Sequence, residues 1–522
     1  MEDQLRQIWA SALSLEPEEI GQDDNLFELG GDSVKAIQIM AKAAENQLYF
    51  DIQTLYANPT VGSLVKALGQ GEANGHHLPV TTENNKPADD DMLLRVRRRM
   101  EELGIPGVRA LRAAKLREDQ VDFIHMTAKG AIGASPTFIY EVEGGDVRGE
   151  LLKAIALVTL KHPILRSTFV DVDGEYYQVA LDDAAPVLLG RSGPIKQYAH
   201  EASTRVLAAG DPTAHYALVD DNGTLFFSFS VLHCFFDSFS RTIIERDLVA
   251  ALGDPGALAG QPERPWYGDF ASHLEANLDE ASAEAFWLRY LEGSSRVDTI
   301  HQGPPGAMRQ FDRSIHETMA ADVAQGRQIH LATAITTAWA LALMHRSGSR
   351  DVAFTLLTLG RLYPYEGMDR LVGLLVKDRP FRLQLADDDD DAAAAIDSVL
   401  LGVQGDLVSA GEYEHGPRFP RGPCLQSYVN IKLGGSAMEA TAAGGLTLTP
   451  RRDLERWESE TRYAVYLEVK PLGGRNRFEM RYHSSLIGDE EAAALLGRFL
   501  ALLEGIGGSA GGRSVAGLLE EL

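Results

Sequence analysis

Apolar positions at the start of the chain recur with a helical period. Leu5, Ile8, Trp9 and Ala12 fall at i, i+3, i+4 and i+7, which is one face of a helix. A second helix is predicted from Ser33 to about Asn46, with Val34, Ile37, Ala41 and Ala44 on one side. A third is predicted over Val61–Leu68, behind the turn signal Asn58-Pro59. No strand pattern interrupts residues 1–68, so this stretch reads as a small three- or four-helix bundle. From Gly69 to about Asp91 the chain carries Gly, Asn, Pro and charge without any period, and a linker is expected. A short basic helix, LLRVRRRMEELG, follows and ends at Gly104 with Pro106 beyond it.

From about residue 119 strands and helices alternate. Strands are predicted over Thr224–His233, Val352–Leu359, Tyr463–Val469 and Phe478–Tyr482. Helices are predicted over Ser240–Leu252, Thr333–His345 and Glu490–Leu503. That is roughly 400 residues of α/β material, too much for one compact core, so two lobes are expected. The boundaries are placed at 1–70 for the helical unit, 71–118 for the linker with its short helix, 119–295 for a first lobe and 296–522 for a second.

Composition narrows the function classes. A chain of 522 residues with 45% hydrophobic and 24% charged residues is ordinary globular material. No run of about 18 apolar residues predicts a membrane span. The first residues lack the basic segment and apolar block of a signal peptide. The two cysteines, Cys234 and Cys424, form neither a disulfide framework nor a zinc spacing, so a reducing cytoplasmic setting is expected. The net charge of −26 repels nucleic-acid phosphates, and no nucleic-acid partner is expected. The acidic run Asp387–Asp391 precedes an Ala-rich stretch and reads as a solvated loop and helix start. His76-His77 lacks a third ligand, so the pair reads as linker rather than metal site.

Two short segments carry candidate chemistry. In the first, Leu29-Gly30-Gly31-Asp32-Ser33 leads directly into a helix. Asp32 and Ser33 stand where helix caps stand, and a cap alone would account for them. A serine at a helix N-terminus is also a good seat for a phosphate ester. In the second segment, Val231-Leu232-His233-Cys234-Phe235-Phe236-Asp237-Ser238-Phe239-Ser240, a strand hands over to a helix. Such ends hold side chains outward on a rigid frame, although a histidine on an apolar strand is commonly a packed core residue.

LFELGGDSVKAIQI resembles the thiolation, or peptidyl carrier, motif of nonribosomal peptide synthetases. The resemblance implies 4′-phosphopantetheine on Ser33, beside Asp32, added by a phosphopantetheinyl transferase. The histidine segment resembles that of condensation domains, whose motif is His-His-x-x-x-Asp-Gly. His233 and Asp237 match; Leu232 and Ser238 stand at the first His and the Gly. The looser form of the fungal terminal cyclising branch, Ser-His-x-x-x-Asp-x-x-Ser/Thr, is matched by His233, Asp237 and Ser240, with Leu232 departing from its leading Ser. Further segments agree: Lys161-His162-Pro163-Ile164-Leu165-Arg166-Ser167-Thr168-Phe169, Trp339–Phe354 followed by Gly360-Arg361, and Gly373–Arg382, in which Lys377-Asp378 replace an Asn-Thr pair.

The resemblance implies a small four-helix carrier bundle joined to a two-lobed α/β condensation domain resembling paired chloramphenicol acetyltransferase folds. His233 is then the expected catalytic residue, as base or as the group that orients an amine. Asp237 is expected to be structural and paired with Arg166, and Ser240 to be a helix cap or a support for His233. The expected partners are upstream adenylation and condensation domains of the same synthetase and a peptidyl thioester. The leading expectation is release of the peptide by intramolecular amide formation. An ordinary elongating condensation domain, an epimerisation domain and a non-catalytic docking domain are the alternatives.

Overall fold

The computed structural model describes the chain except residues 32, 51, 70–89, 106–109, 129–134, 183–184, 295–299, 301–310, 321–328, 364, 386–394, 417–425, 433–437, 456–460, 462, 473–474, 509–512 and 521–522. Asp32, His76, His77, Cys424 and the run Asp387–Asp391 therefore lie outside the described residues, with most of the expected linker.

Four helices form the first unit: α1 (Glu2–Leu13), α2 (Ser33–Glu45), α3 (Ile52–Ala57) and α4 (Val61–Gly69). Leu5, Ile8, Trp9 and Ala12 are buried in its core, as their spacing predicts. The face of α2 is corrected. Ala36, Ile39 and Ala43 enter this core, whereas Ala41 and Ala44 stay half-buried. Ile37 is buried as predicted, and another side of α2 runs beside the one-turn helix Met368–Arg370 of the second lobe.

Helix α5 (Asp90–Glu102) follows and buries Val96 and Met100 against a small antiparallel sheet. That sheet has the order β1-β4-β3, from β1 (Ala110–Lys115), β3 (Ser167–Val172) and β4 (Glu175–Leu181). The first lobe is built on a six-stranded sheet. Its own strands are β2 (Thr137–Gly144), β5 (Leu188–Ser192), β6 (Ala214–Asp221) and β7 (Thr224–Val231). Around them lie α6 (Glu118–Ala128), α7 (Val147–Lys161), α8 (Ile195–Ser203), α9 (Ser238–Gly253), α10 (Pro255–Ala259), α11 (Tyr267–Asn277) and α12 (Glu280–Tyr290). An aromatic layer of Phe138, Tyr216, Phe227, Phe229 and Phe236 fills the lobe's core. In strands this is what alternating apolar residues are for.

The second lobe has a six-stranded sheet in the order β10-β9-β11-β14-β15-β8. Its strands are β8 (Arg313–Ala320), β9 (Asp351–Thr358), β10 (Lys377–Gln384), β11 (Ser427–Ile431), β14 (Val465–Leu472) and β15 (Arg475–Tyr482). Helices α13 (Leu331–Ser347), α14 (Ile396–Glu412) and α15 (Asp489–Gly508) share this core, where Trp339 meets Phe499 edge-on at 5.7 Å. Along β11 and β14 the core takes Val429, Val465, Leu467 and Val469, while Tyr428, Asn430, Tyr466 and Glu468 alternate onto the opposite face.

One pair of strands crosses between the lobes. β12 (Thr441–Ala443) and β13 (Leu446–Pro450) lie in sequence within the second lobe but complete the first lobe's sheet, in the order β12-β13-β2-β7-β6-β5. β13 pairs antiparallel with β2, from Leu446 opposite Gly144 to Pro450 opposite Tyr140. A buried network fastens the crossing. Tyr140 donates to Glu245, Arg241 reaches Glu245 at 2.7 Å and Glu455 at 2.8 Å, and Met438 N–H donates to Glu245 at 3.2 Å.

Candidate active site

The histidine segment sits where β7 stops. His233–Phe235 form one tight helical turn, and α9 begins at Ser238. Leu232 is fully buried, so the position of the motif's first histidine faces the core here, where an imidazole would lose its hydration. His233 is half-buried, and the Phe123 ring of α6 stacks on its imidazole with centroids 4.2 Å apart and planes 13° apart. Burial pushes the His233 pKa below its ordinary value, the Asp237 charge opposes that shift, and the Lys432 charge adds to it. The imidazole is accordingly neutral near pH 7. Cys234 beside it is buried, and burial pushes its thiol pKa well up, which disfavours the thiolate.

Asp237 is a hub rather than a second acid. Its Oδ1 accepts from Ser240 N–H at 2.7 Å, which caps α9, and its Oδ2 accepts from Leu375 N–H at 3.1 Å. Its ion-pair partner is Arg361, whose Nη2 lies 3.3 Å from both carboxylate oxygens. The expected pair with Arg166 is thus overturned. Arg166 ends the turn Pro163–Arg166 and donates to Glu263 and to the Leu181 carbonyl, while Arg361 enters from the second lobe just after β9. Arg361 also donates to the carbonyls of Met368 at 2.9 Å and Leu371 at 2.8 Å. Gly360 makes this approach possible: its φ is +64°, and a Cβ would stand 1.7 Å from the Leu375 carbonyl oxygen. Ser240 is not the cap. Its hydroxyl donates to the Gly373 carbonyl and accepts the Gly373 N–H, each at 3.0 Å, so it ties α9 to the second lobe.

The Lys161–Phe169 segment makes its polar contacts within the first lobe. His162 Nε2 and Arg264 Nε each lie 2.9 Å from Asp247 Oδ2, in a buried cluster behind the site. The pair at Lys377-Asp378 splits across β10. Lys377 pairs with Asp119 of the first lobe, and Asp378 accepts from Tyr428 at 2.5 Å on the sheet's other face. Gln120 Nε2 donates to the Cys234 carbonyl at 2.8 Å, bracing the His233 turn.

The helical unit packs against the second lobe. Leu362 and Val408 of that lobe join the apolar core of α1–α4, and Phe27 meets His330 edge-on at 6.1 Å. Leu362 directly follows Arg361, so one dipeptide faces both the helical unit and Asp237. Ser33 opens α2, and the turn before it is closed tightly: a Cβ on Gly31 would stand 2.5 Å from the Leu26 carbonyl oxygen. A backbone so folded presents a helix N-terminus, which suits the phosphodiester of a phosphopantetheine group.

Residues 120–509 match the condensation domain family, and residues 3–68 match the phosphopantetheine attachment site. The chain belongs to the condensation-domain family. It is a carrier and condensation didomain of a nonribosomal peptide synthetase, and the enzyme class is acyl transfer forming peptide bonds. Nonribosomal peptide synthetase 8 of Gibberella moniliformis is 29% identical over 99% of both chains, and nonribosomal peptide synthetase ALT12 of Alternaria alternata 27% over 99% of both. In structure, the condensation didomain is similar to holo T3CT, with a TM-score of 0.64 and 18% identity over 82% of this chain and 98% of that one. It is also similar to the starter condensation domain of rhizomide synthetase, with a TM-score of 0.59 and 15% identity over 77% and 96%. The carrier unit implies covalent 4′-phosphopantetheine. No described helix is long and apolar enough to cross a membrane.

Sequence reasoning passed over Arg361, Phe123 and Gln120 as site residues. Gly360-Arg361 was visible as a motif, but its partner was not, because 124 residues separate Arg361 from Asp237. Phe123 and Gln120 carry no sequence signal of their own.

Proposed function

We propose that Ser33 is the attachment residue and that His233 serves the peptide cargo in an intramolecular amide-forming release. When attached, the phosphopantetheine arm supplies a thiol on which a peptide is held as a thioester. The carrier's packing against Leu362, one residue from the Arg361–Asp237 pair, is the observation that carries this reading. A carrier seated there keeps its cargo at high effective concentration beside the His233 turn.

His233, neutral at physiological pH, accepts a hydrogen bond from an attacking amine, orients it and takes the proton it sheds as the C–N bond forms; the thioester C–S bond breaks in turn, and the proton passes on to the departing sulfur. Asp237 and Arg361 keep the turn in place without touching the amine. The spacing His233-x-x-x-Asp237-x-x-Ser240 supports the cyclising branch, in which the amine belongs to the peptide itself. A phosphopantetheinyl transferase and synthetase domains that build the peptide are the partners this requires.

The test is mass spectrometry of protein and product after loading Ser33 with a peptidyl-pantetheine. The reading expects a product one water lighter than the free peptide, lost in His233→Ala by roughly 10²- to 10⁴-fold, the usual worth of a general base. A peptide that stays bound until a separate amine is added would make this an elongating condensation domain. Unchanged output from His233→Ala would remove His233 from the chemistry.

A further inference from the structure

Helix α6 connects the second lobe to the His233 turn through three consecutive contacts. Asp119, in its first turn, pairs with Lys377 of β10, in the second lobe. Gln120 holds the Cys234 carbonyl at 2.8 Å. Phe123, one turn beyond Asp119 on the same helix face, stacks on His233 at 4.2 Å. α6 runs beside the His233–Phe235 turn.

The ion pair is built into the fold rather than laid on its surface. Lys377 is only 7% exposed. Burial works against the Asp119 carboxylate, but Lys377, with Arg117 beside it, holds its pKa below the ordinary value. Neighbouring cations hydrogen-bond to backbone carbonyls: Arg117 donates to the His415 carbonyl at 2.8 Å and Arg379 to the carbonyls of Glu414 and Gly416. The Asn-Thr pair of the similar segment in other condensation domains could supply a hydrogen bond here but no opposite charge.

We propose that the Lys377–Asp119 pair is a positioning device, which clamps α6 to the second lobe and through Gln120 and Phe123 fixes the orientation of His233. The proposal rests on reading His233 as the residue that serves the amine. If β10 draws away from α6, Asp119 loses its partner, and the support under the imidazole goes with it. The orientation of His233 thereby depends on how the two lobes sit.

The test uses the full chain and needs no substrate. Diethyl pyrocarbonate modifies neutral imidazole, and peptide mapping by mass spectrometry reads its reaction at His233 as a function of pH. The double variant Asp119→Asn with Lys377→Met removes both charges without stranding one, so the fold is kept. It also removes one charge of each sign, leaving the field of Asp237 and Lys432 on His233 in place. The expected result is faster modification and a midpoint raised by about 0.5 pH unit or more toward the ordinary histidine value, because a loosened Phe123 admits water. Lys377→Arg keeps the charge and is expected to keep the wild-type midpoint. A double variant with wild-type rate and midpoint overturns the proposal. So does one that fails to fold while Lys377→Arg folds, since the pair would then serve stability alone. Loss of the His233 reading would appear separately, as unchanged product formation by His233→Ala.

Discussion

Arg361 Nη2 stands 3.3 Å from each carboxylate oxygen of Asp237, and neither side chain touches solvent. The pair joins the lobes directly behind the His233 turn. Removing one partner strands the other charge in the interior, which costs about 3–5 kcal/mol. Asp237→Ala and Arg361→Ala are each expected to lose that much in urea unfolding. Arg166→Ala is expected to lose less, because its partner Glu263 is 43% exposed and remains bound to Arg112. Equal losses from Arg166→Ala and Arg361→Ala would contradict this ordering.

Gly360→Ala tests the approach of Arg361. A Cβ at 1.7 Å from the Leu375 carbonyl cannot be accommodated without moving the backbone that Asp237 also holds. Loss of soluble protein, or a midpoint lowered as far as in Arg361→Ala, is expected. A variant that melts like the parent would show that the chain reaches this position another way.

The carrier contact predicts a separable effect. Leu362 is half-buried between the carrier core and the second lobe. Leu362→Asp places a charge in that contact, which is expected to release the carrier while both units stay folded. Small-angle scattering should show a larger radius of gyration, and loaded cargo should leave about tenfold more slowly, as expected for loss of an interface anchor worth over 1 kcal/mol. An unchanged scattering profile would count against this contact in solution.

His330 predicts the pH response of the same region. Burial depresses its pKa from 6.5 to about 4, and its Nδ1 accepts the Ala332 N–H at the start of α13. The unfolded chain therefore binds a proton that the folded chain refuses between these values. Stability is full above pH 6.5 and falls as the pH drops toward about 4, by at most ~3 kcal/mol from this residue. Other buried histidines shift in the same sense, so the comparison is with His330→Asn, which can still cap the helix without titrating. Between pH 7.5 and 5 the melting temperature of the variant should fall less than that of the parent; parallel curves would exclude His330 as a source.

Local pattern made much of this molecule readable. The helices after Ser33 and at Thr333, and the strands at Thr224 and Val352, stand within a few residues of where the sequence pattern puts them, because each carries a dense run of buried apolar positions. Ser33 and His233 could be singled out as candidates because both lie in short contiguous segments. What escaped were relations between distant segments. Nothing in Leu446-Thr-Leu-Thr-Pro450 says that it pairs with Thr137–Gly144 rather than with its own lobe. Arg166 and Arg361 look alike as candidate partners for Asp237, and only the approach after β9 separates them. The two sides of α2 could not be told apart before the second lobe was in place.

The crossing hairpin has a consequence for how the lobes can be divided. β13 covers the outer side of β2 over five residue pairs, and both crossing strands come from beyond residue 440. A fragment cut between the lobes would carry β2 as a bare edge, with unpaired N–H and C=O groups along an apolar strand, a template for joining another chain. The first lobe expressed alone should therefore be prone to edge-to-edge association. The amide register that shields β2 is supplied by a strand of the same chain that is synthesised long after it.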